Sequence, residues 1–175
     1  QQADMAEISG ILKLVEQRLL ADDLFVQSTY PQQFVRLLIS RYQSGMRYGT
    51  HVDEALINNQ RTDISFTLFL SEKTQYQGGE LVLEDSSGER SWKLDAGDLL
   101  VYPSTYLHRV NEVNDGERLV IVGWLTSRVR EPNQREILFD MEQSLRQEFN
   151  LNGKTEQYDR LSRVRNNLLR QWLDR

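Results

Sequence analysis

Between Pro31 and Pro132 the chain is a succession of short apolar segments, separated by Gly, Asp or Pro turns. The clearest runs from Asp63 to Ser71, where Ile64, Phe66, Leu68 and Leu70 alternate with Ser65 and Thr67. That period of two predicts a half-buried strand, apolar on one face and wet on the other. Phe34 to Tyr42 (FVRLLISRY) reads as a buried strand, and the stretch around Gly45 and Gly49 as a turn leading to residue 51. Gly78-Gly79 opens another strand (GELVLED), which Ser86-Ser87-Gly88 closes. Trp92 to Leu94, Asp98 to Tyr102, Leu107 to Val113 and Glu117 to Thr126 supply the rest. So many short strands with little helix between them predict a double-sheet jelly roll or a barrel.

The flanks have a different texture. Ile8, Leu12, Val15 and Leu19 recur at helical spacing, as do Leu138, Met141, Leu145 and Phe149, and then Leu161, Val164, Leu168 and Trp172. Asn152-Gly153 separates the last two stripes, which read as core packing. The expected architecture is therefore mainly β with flanking helices (α+β). Residues 1–131 form the β domain with its N-terminal helix, and residues 132–175 a helical extension packed on it. A length of 175 residues suffices for one substantial core. The net charge of −5 leaves no basic footprint for nucleic acid, and no apolar run reaches the length of a membrane span. Zero cysteines exclude disulfides and thiolate metal sites and fit a reducing, cytoplasmic setting. A transition metal would have to rely on imidazole and carboxylate.

Those ligand types occur in one suggestive pattern. His51 and His108 are the only histidines, and Asp53 stands two places after the first. On a strand, residues i and i+2 share a face, so His51 and Asp53 can address one point. His108, arriving on a distant strand, would complete a two-histidine, one-carboxylate set suited to Fe(II), Mn(II), Ni(II) or Zn(II), with positions left open. Arg118 bears on the choice, because it begins the apolar run Arg118-Leu119-Val120-Ile121-Val122 and a buried cation needs a partner. Asn114-Asp115-Gly116 predicts a hairpin between the strands of His108 and Arg118. A three-residue loop with Gly116 left-handed sets His108 opposite Val122 and brings Arg118 to its face, roughly 13 Å along. A two-residue Asp115-Gly116 loop turns Arg118 to the other face. Arg118 thus either offers its planar fork to a small dicarboxylate or caps the strand end beside Glu112 or Glu117. Trp124 reads as core, with the wall of a pocket as its alternative.

Taken together, Arg41-Tyr42, Tyr48-Gly49-Thr50-His51-Val52-Asp53, Arg61-Thr62-Asp63, Thr67-Leu68-Phe69-Leu70, Tyr76-Gln77-Gly78-Gly79-Glu80-Leu81, Ala96-Gly97-Asp98, Tyr102-Pro103-Ser104 and Leu107-His108 resemble the PKHD-type hydroxylases. These are a bacterial branch of the prolyl-4-hydroxylase-like Fe(II)/2-oxoglutarate dioxygenases. The resemblance begins near Tyr42 and extends through Leu168-Leu169-Arg170-Gln171-Trp172. It implies a double-stranded β-helix, iron on His51, Asp53 and His108, and the distal carboxylate of 2-oxoglutarate on Arg118. It further implies Tyr42 as a co-substrate contact, L-ascorbate as supporting reductant and O₂ as co-reactant. A second tyrosine of related prolyl hydroxylases falls at Phe69 here. The substrate class stays open between a small molecule and a peptide, and the C-terminal helices offer a surface for a homodimer. Two other functions compete: a cupin-like metal- or sugar-binding module without turnover, and a metal-dependent hydrolase using bound hydroxide without O₂.

Overall fold

The computed structural model describes residues 5–174, which fall into two compact units. One, residues 33–126, is the β unit. Its strands are β1 (Pro31–Gln43), β2 (Tyr48–His51), β3 (Leu56–Ile57), β4 (Gln60–Arg61), β5 (Ile64–Phe69) and β6 (Tyr76–Gly78), followed by β7 (Leu81–Asp85), β8 (Gly88–Trp92), β9 (Leu99–Pro103), β10 (Leu107–Val110) and β11 (Val113–Ser127). Strands β1-β11-β5-β9 form one sheet, with β6 also pairing β11, and β2-β10-β7-β8 form the other. Both ladders are antiparallel where the register is defined. The sheets face each other across a core in which Leu81, Leu83 and Val110 of the second sheet meet Tyr102 of the first. This is the expected jelly roll. β3 and β4 make a small separate hairpin, turned by Asn58 and Asn59, both at positive φ (51° and 61°).

Three strand readings need correction. The alternation in β5 is real, but both its faces are buried: Ser65 and Thr67 are each 2% exposed. Their face looks into a cavity, and a polar cavity wall has the same residue pattern as a solvent face. β1 is half-buried rather than buried. The strand expected at Trp92 to Leu94 begins earlier, at Gly88, because Ser86-Ser87 is a tight turn, its Ser87 N–H donating to Asp85 at 2.7 Å.

The predicted hairpin at Asn114-Asp115-Gly116 does not exist. β11 runs unbroken from Val113 to Ser127, and β10 belongs to the other sheet. His108 pairs with His51 and Leu83, and Val122 with Thr67. Gly116 is left-handed, at φ 77°, but it sits beside a register slip against β6, where a glycine serves a bulge rather than a turn. Its missing Cβ leaves space for the Gln75 carbonyl and the Tyr76 backbone. Gly116→Ala combines backbone strain with that clash and should cost roughly 1–3 kcal/mol. At about 2–4 °C per kcal/mol the fall in melting temperature is readily measured by calorimetry; an unchanged melting point would mean the bulge relaxes freely.

The other unit comprises residues up to Gln32 and from Ser127 onward. It contains α1 (Met5–Leu20), α2 (Asp23–Thr29), α3 (Pro132–Asn152) and α4 (Glu156–Trp172). α2 has no counterpart in the sequence reading; its cap is Asp22, whose carboxylate accepts from the Phe25 N–H at 2.7 Å. Gly153 ends α3 at φ 71°, and Thr155 caps α4 by accepting from the Tyr158 N–H at 3.0 Å. Leu138 and Leu145 are buried as their stripe predicts, whereas Phe149 and Val164 are exposed and α4 buries no residue fully. No described helix is long and apolar enough to cross a membrane.

Candidate active site

His51 is the last residue of β2, and Asp53 lies just beyond the strand, in the loop that follows. β10 pairs antiparallel with β2 so that His108 stands directly opposite His51. The two imidazoles lie side by side, their ring centres 4.1 Å apart and their planes tilted by 49°. In each ring Nδ1 meets a backbone carbonyl two residues earlier: His51 with Gly49 at 2.9 Å, His108 with Tyr106 at 3.0 Å. A carbonyl only accepts, so each Nδ1 carries the proton and each Nε2 keeps its lone pair. Both lone pairs converge on Asp53, whose Oδ1 is 3.8 Å from His51 Nε2 and 3.7 Å from His108 Nε2. The three side chains offer ligand atoms within 4.8 Å of one another. Burial holds the His108 pKa below the ordinary imidazole value, against a backbone hydrogen bond and the Asp53 charge that act upward. At neutral pH this favours the uncharged imidazole that a metal requires.

The site opens into a cavity of about 680 Å³, within the range of small-molecule pockets. Arg118 enters it from β11. At 1% exposure it is among the most deeply buried side chains, and its Nε and Nη1 have no hydrogen-bond partner among the described residues. The guanidinium carbon lies 5.2 Å from the Tyr42 ring and 5.4 Å from the Phe69 ring. Desolvation lowers the Arg118 pKa, opposed by the phenols of Tyr76, Tyr42 and Tyr102, yet guanidinium stays protonated. Burying that charge with donors unsatisfied is costly, and a carboxylate presenting two oxygens is the complement such a fork takes.

Arg118 is buried rather than at the surface. Glu117 is engaged by Arg41, whose Nε donates to it at 2.6 Å, and Arg118 lines the cavity. Arg118 and the two histidines line the same cavity, but not by the expected hairpin. They come from opposite sheets that face each other, not from successive strands of one hairpin. Tyr42 also lines the cavity, with its pKa raised chiefly by burial. Phe69 is fully buried and offers Arg118 a ring face where a phenol would offer an oxygen.

Several contributors escape the sequence reading. Trp124 is not one of them, since a pocket wall is its alternative reading in the sequence: it lines the cavity, half-buried, with its indole nitrogen buried and unpaired among the described residues. Tyr102, whose ring stands 5.3 Å from that of His108, is almost wholly buried, and desolvation pushes its pKa upward. Ser65 donates to Asp53 Oδ2 at 2.5 Å and touches Ser104 at 2.7 Å. No local motif marks these serines; the signal is a polar face on a strand that proves to be central in its sheet.

Comparison with known proteins agrees with this geometry. Residues 37–126 match the model of the 2OG-Fe(II) oxygenase superfamily. The chain is 58% identical over 156 residues to a PKHD-type hydroxylase of Idiomarina loihiensis, covering 89% of this chain and 72% of that protein. It is 48% identical over 173 residues to a PKHD-type hydroxylase of Parvibaculum lavamentivorans, covering 98% and 78%. Among solved structures it resembles a prolyl-4-hydroxylase of Pseudomonas putida, with a TM-score of 0.51 at 27% identity, over 73% of this chain and 69% of that one.

Proposed function

Because the chain belongs to the 2OG-Fe(II) oxygenase superfamily, and within it to the PKHD-type hydroxylases, we propose that His51, Asp53 and His108 hold Fe(II) and that Arg118 binds 2-oxoglutarate. The protein is an Fe(II)- and 2-oxoglutarate-dependent dioxygenase whose substrate is unidentified. The observation that carries the residue assignment is the convergence of two imidazole lone pairs and Asp53 Oδ1 in the cavity that Arg118 also lines, with its Nε and Nη1 unpaired among the described residues.

The donor set fits Fe(II), being two neutral imidazoles and a carboxylate with no thiolate. Bound there, the iron supplies the redox chemistry by which O₂ and 2-oxoglutarate become succinate and CO₂ while a substrate C–H becomes C–OH. The chain's own residues do the rest. The Gly49 and Tyr106 carbonyls fix the tautomers that keep both Nε2 atoms available. Arg118, beside the Tyr42 and Phe69 rings, holds the far carboxylate of 2-oxoglutarate, so that its keto-acid end is presented toward the histidines. Tyr42 adds a phenol on the same wall. Leu81, Val110 and Val122 line the cavity with apolar surface and keep water from the reaction. No side chain is needed as a general base. Ascorbate as supporting reductant and a cytoplasmic setting, where iron stays reduced, complete the proposal.

The anaerobic protein given Fe(II) and 2-oxoglutarate should show a weak visible charge-transfer band. Admitting O₂ should bleach it and release succinate slowly even without substrate. Zn(II) should occupy the same ligands and inhibit, since it cannot activate O₂. Turnover supported by Zn(II), or succinate formed equally without O₂, would transfer the assignment to a metal-dependent hydrolase. Metal binding with no consumption of 2-oxoglutarate would favour a cupin-like binding module.

A further inference from the structure

We infer that Ser65 and Ser104 are positioning residues for Asp53: an ordered pair of hydroxyls that ties down one carboxylate oxygen and leaves the other to the metal. The inference rests on the reading of His51, Asp53 and His108 as ligands. Ser65 lies in the middle of its sheet, paired with Trp124 of β11 on one side and Tyr102 of β9 on the other. Its backbone is thus held by two neighbours, and the residue is only 2% exposed. It reaches across to the loop after β2 and meets Asp53 Oδ2 at 2.5 Å. The Ser65 Oγ also lies 2.7 Å from Ser104 Oγ, on a residue 4% exposed.

Proton counting gives this chain a direction. A carboxylate oxygen accepts, so the single Ser65 proton goes to Asp53. Ser65 can then only accept from Ser104, which must be the donor of that pair. The order is Ser104 to Ser65 to Asp53, with each hydroxyl polarising the next. Ser104 is itself anchored, its N–H donating to the Asp63 carbonyl at 3.3 Å, and it precedes His108 by four residues in the turn out of β9. Both ends of the chain therefore sit on segments that carry ligands.

The consequence is an asymmetric carboxylate. Oδ2 is committed to Ser65, while Oδ1 faces both histidine Nε2 atoms. A buried serine needing only satisfaction could bond a neighbouring carbonyl; these two instead spend their protons in series on one carboxylate. Hydrogen-bond partners that orient a metal ligand are worth about 10- to 100-fold in metal affinity.

The test is a Co(II) titration of the metal-free protein, followed by visible absorption, for wild type and for Ser65→Ala, Ser104→Ala and Asp53→Ala. Ser65→Ala should bind about 100-fold more weakly and Ser104→Ala about 10-fold more weakly, at the two ends of that range. Ser65→Ala should also change the ligand-field spectrum, because Asp53 is freed to turn or to offer both oxygens. Ser65→Ala with wild-type affinity and spectrum overturns the inference. Should Ser65→Ala fail to fold, Ser104→Ala decides alone, and wild-type affinity there overturns it equally. If wild type and Asp53→Ala bind Co(II) alike, it is the ligand assignment that fails; if Asp53→Ala loses binding while the serine variants do not, only the role of the serines fails.

Discussion

Asp53→Ala should abolish turnover and remove high-affinity metal binding while leaving the fold almost unchanged. The argument is geometric. Oδ1 of Asp53 is the atom on which both histidine Nε2 atoms converge, and Asp53 is the sole carboxylate of the described three-residue cluster. Without it two neutral imidazoles remain, their rings 4.1 Å apart, with no anionic ligand to balance a divalent cation. The loss in stability should be small because two effects oppose. Ser65 loses its acceptor, which costs on the order of 1–3 kcal/mol if nothing replaces it. A nearly buried charge disappears as well, and that relieves desolvation. The metal-free variant should therefore melt within a few degrees of the metal-free wild type. Isothermal titration with Fe(II) or Co(II) under anaerobic conditions and a succinate assay measure the first effects, and calorimetry the last. Retained metal affinity would dismiss Asp53 as a ligand. A collapse of stability in the metal-free state would recast the cluster as a structural polar network.

How far such a site can be read from the chain depends on whether each relation is local. The period of two in residues 64–70 reports the β5 strand faithfully, because alternation is a property of a few neighbouring residues. The pair His51 and Asp53 is legible for the same reason, although the rule of same-face strand positions is only partly the cause, since Asp53 has already left the strand. His108 is legible through scarcity, being the other histidine of two. What fails is everything decided by a distant partner. Asn114-Asp115-Gly116 carries the same local signature whether Gly116 turns a hairpin or relaxes a bulge, and only the pairing of β6 with β11 decides which. Ser65 and Thr67 look like a solvent face until both neighbouring strands and the cavity are in place. Ser104 sits in a loop with no pattern of its own. α2, a single short helix, is too brief for periodicity to register.

Arg118→Lys should weaken 2-oxoglutarate binding by about 2 kcal/mol or more, roughly 30-fold, while Fe(II) affinity stays near wild type. Arginine presents two parallel N–H donors at fixed spacing; an ammonium is a point charge on a flexible stem and cannot match both carboxylate oxygens at once. The surroundings of Arg118 sharpen the difference. The guanidinium lies over the Tyr42 and Phe69 rings, at 5.2 and 5.4 Å, an aromatic setting that suits a flat cation. A lysine there would lose the contact of a flat cation with those rings and keep the desolvation. Desolvation already lowers the pKa of the arginine, which nevertheless remains protonated. The same environment acting on an amine would push its pKa down toward the working range, so the charged form would be lost as pH rises. The binding deficit of the lysine variant should therefore widen as pH rises, whereas wild-type affinity should stay nearly flat. Titration of the anaerobic Fe(II) protein with 2-oxoglutarate at several pH values, read by the charge-transfer band, resolves these effects. Equal affinity at every pH would remove Arg118 from the co-substrate site. A parallel loss of Fe(II) affinity would mean that the side chain supports the cavity wall and that its fork is not what recognises the carboxylate.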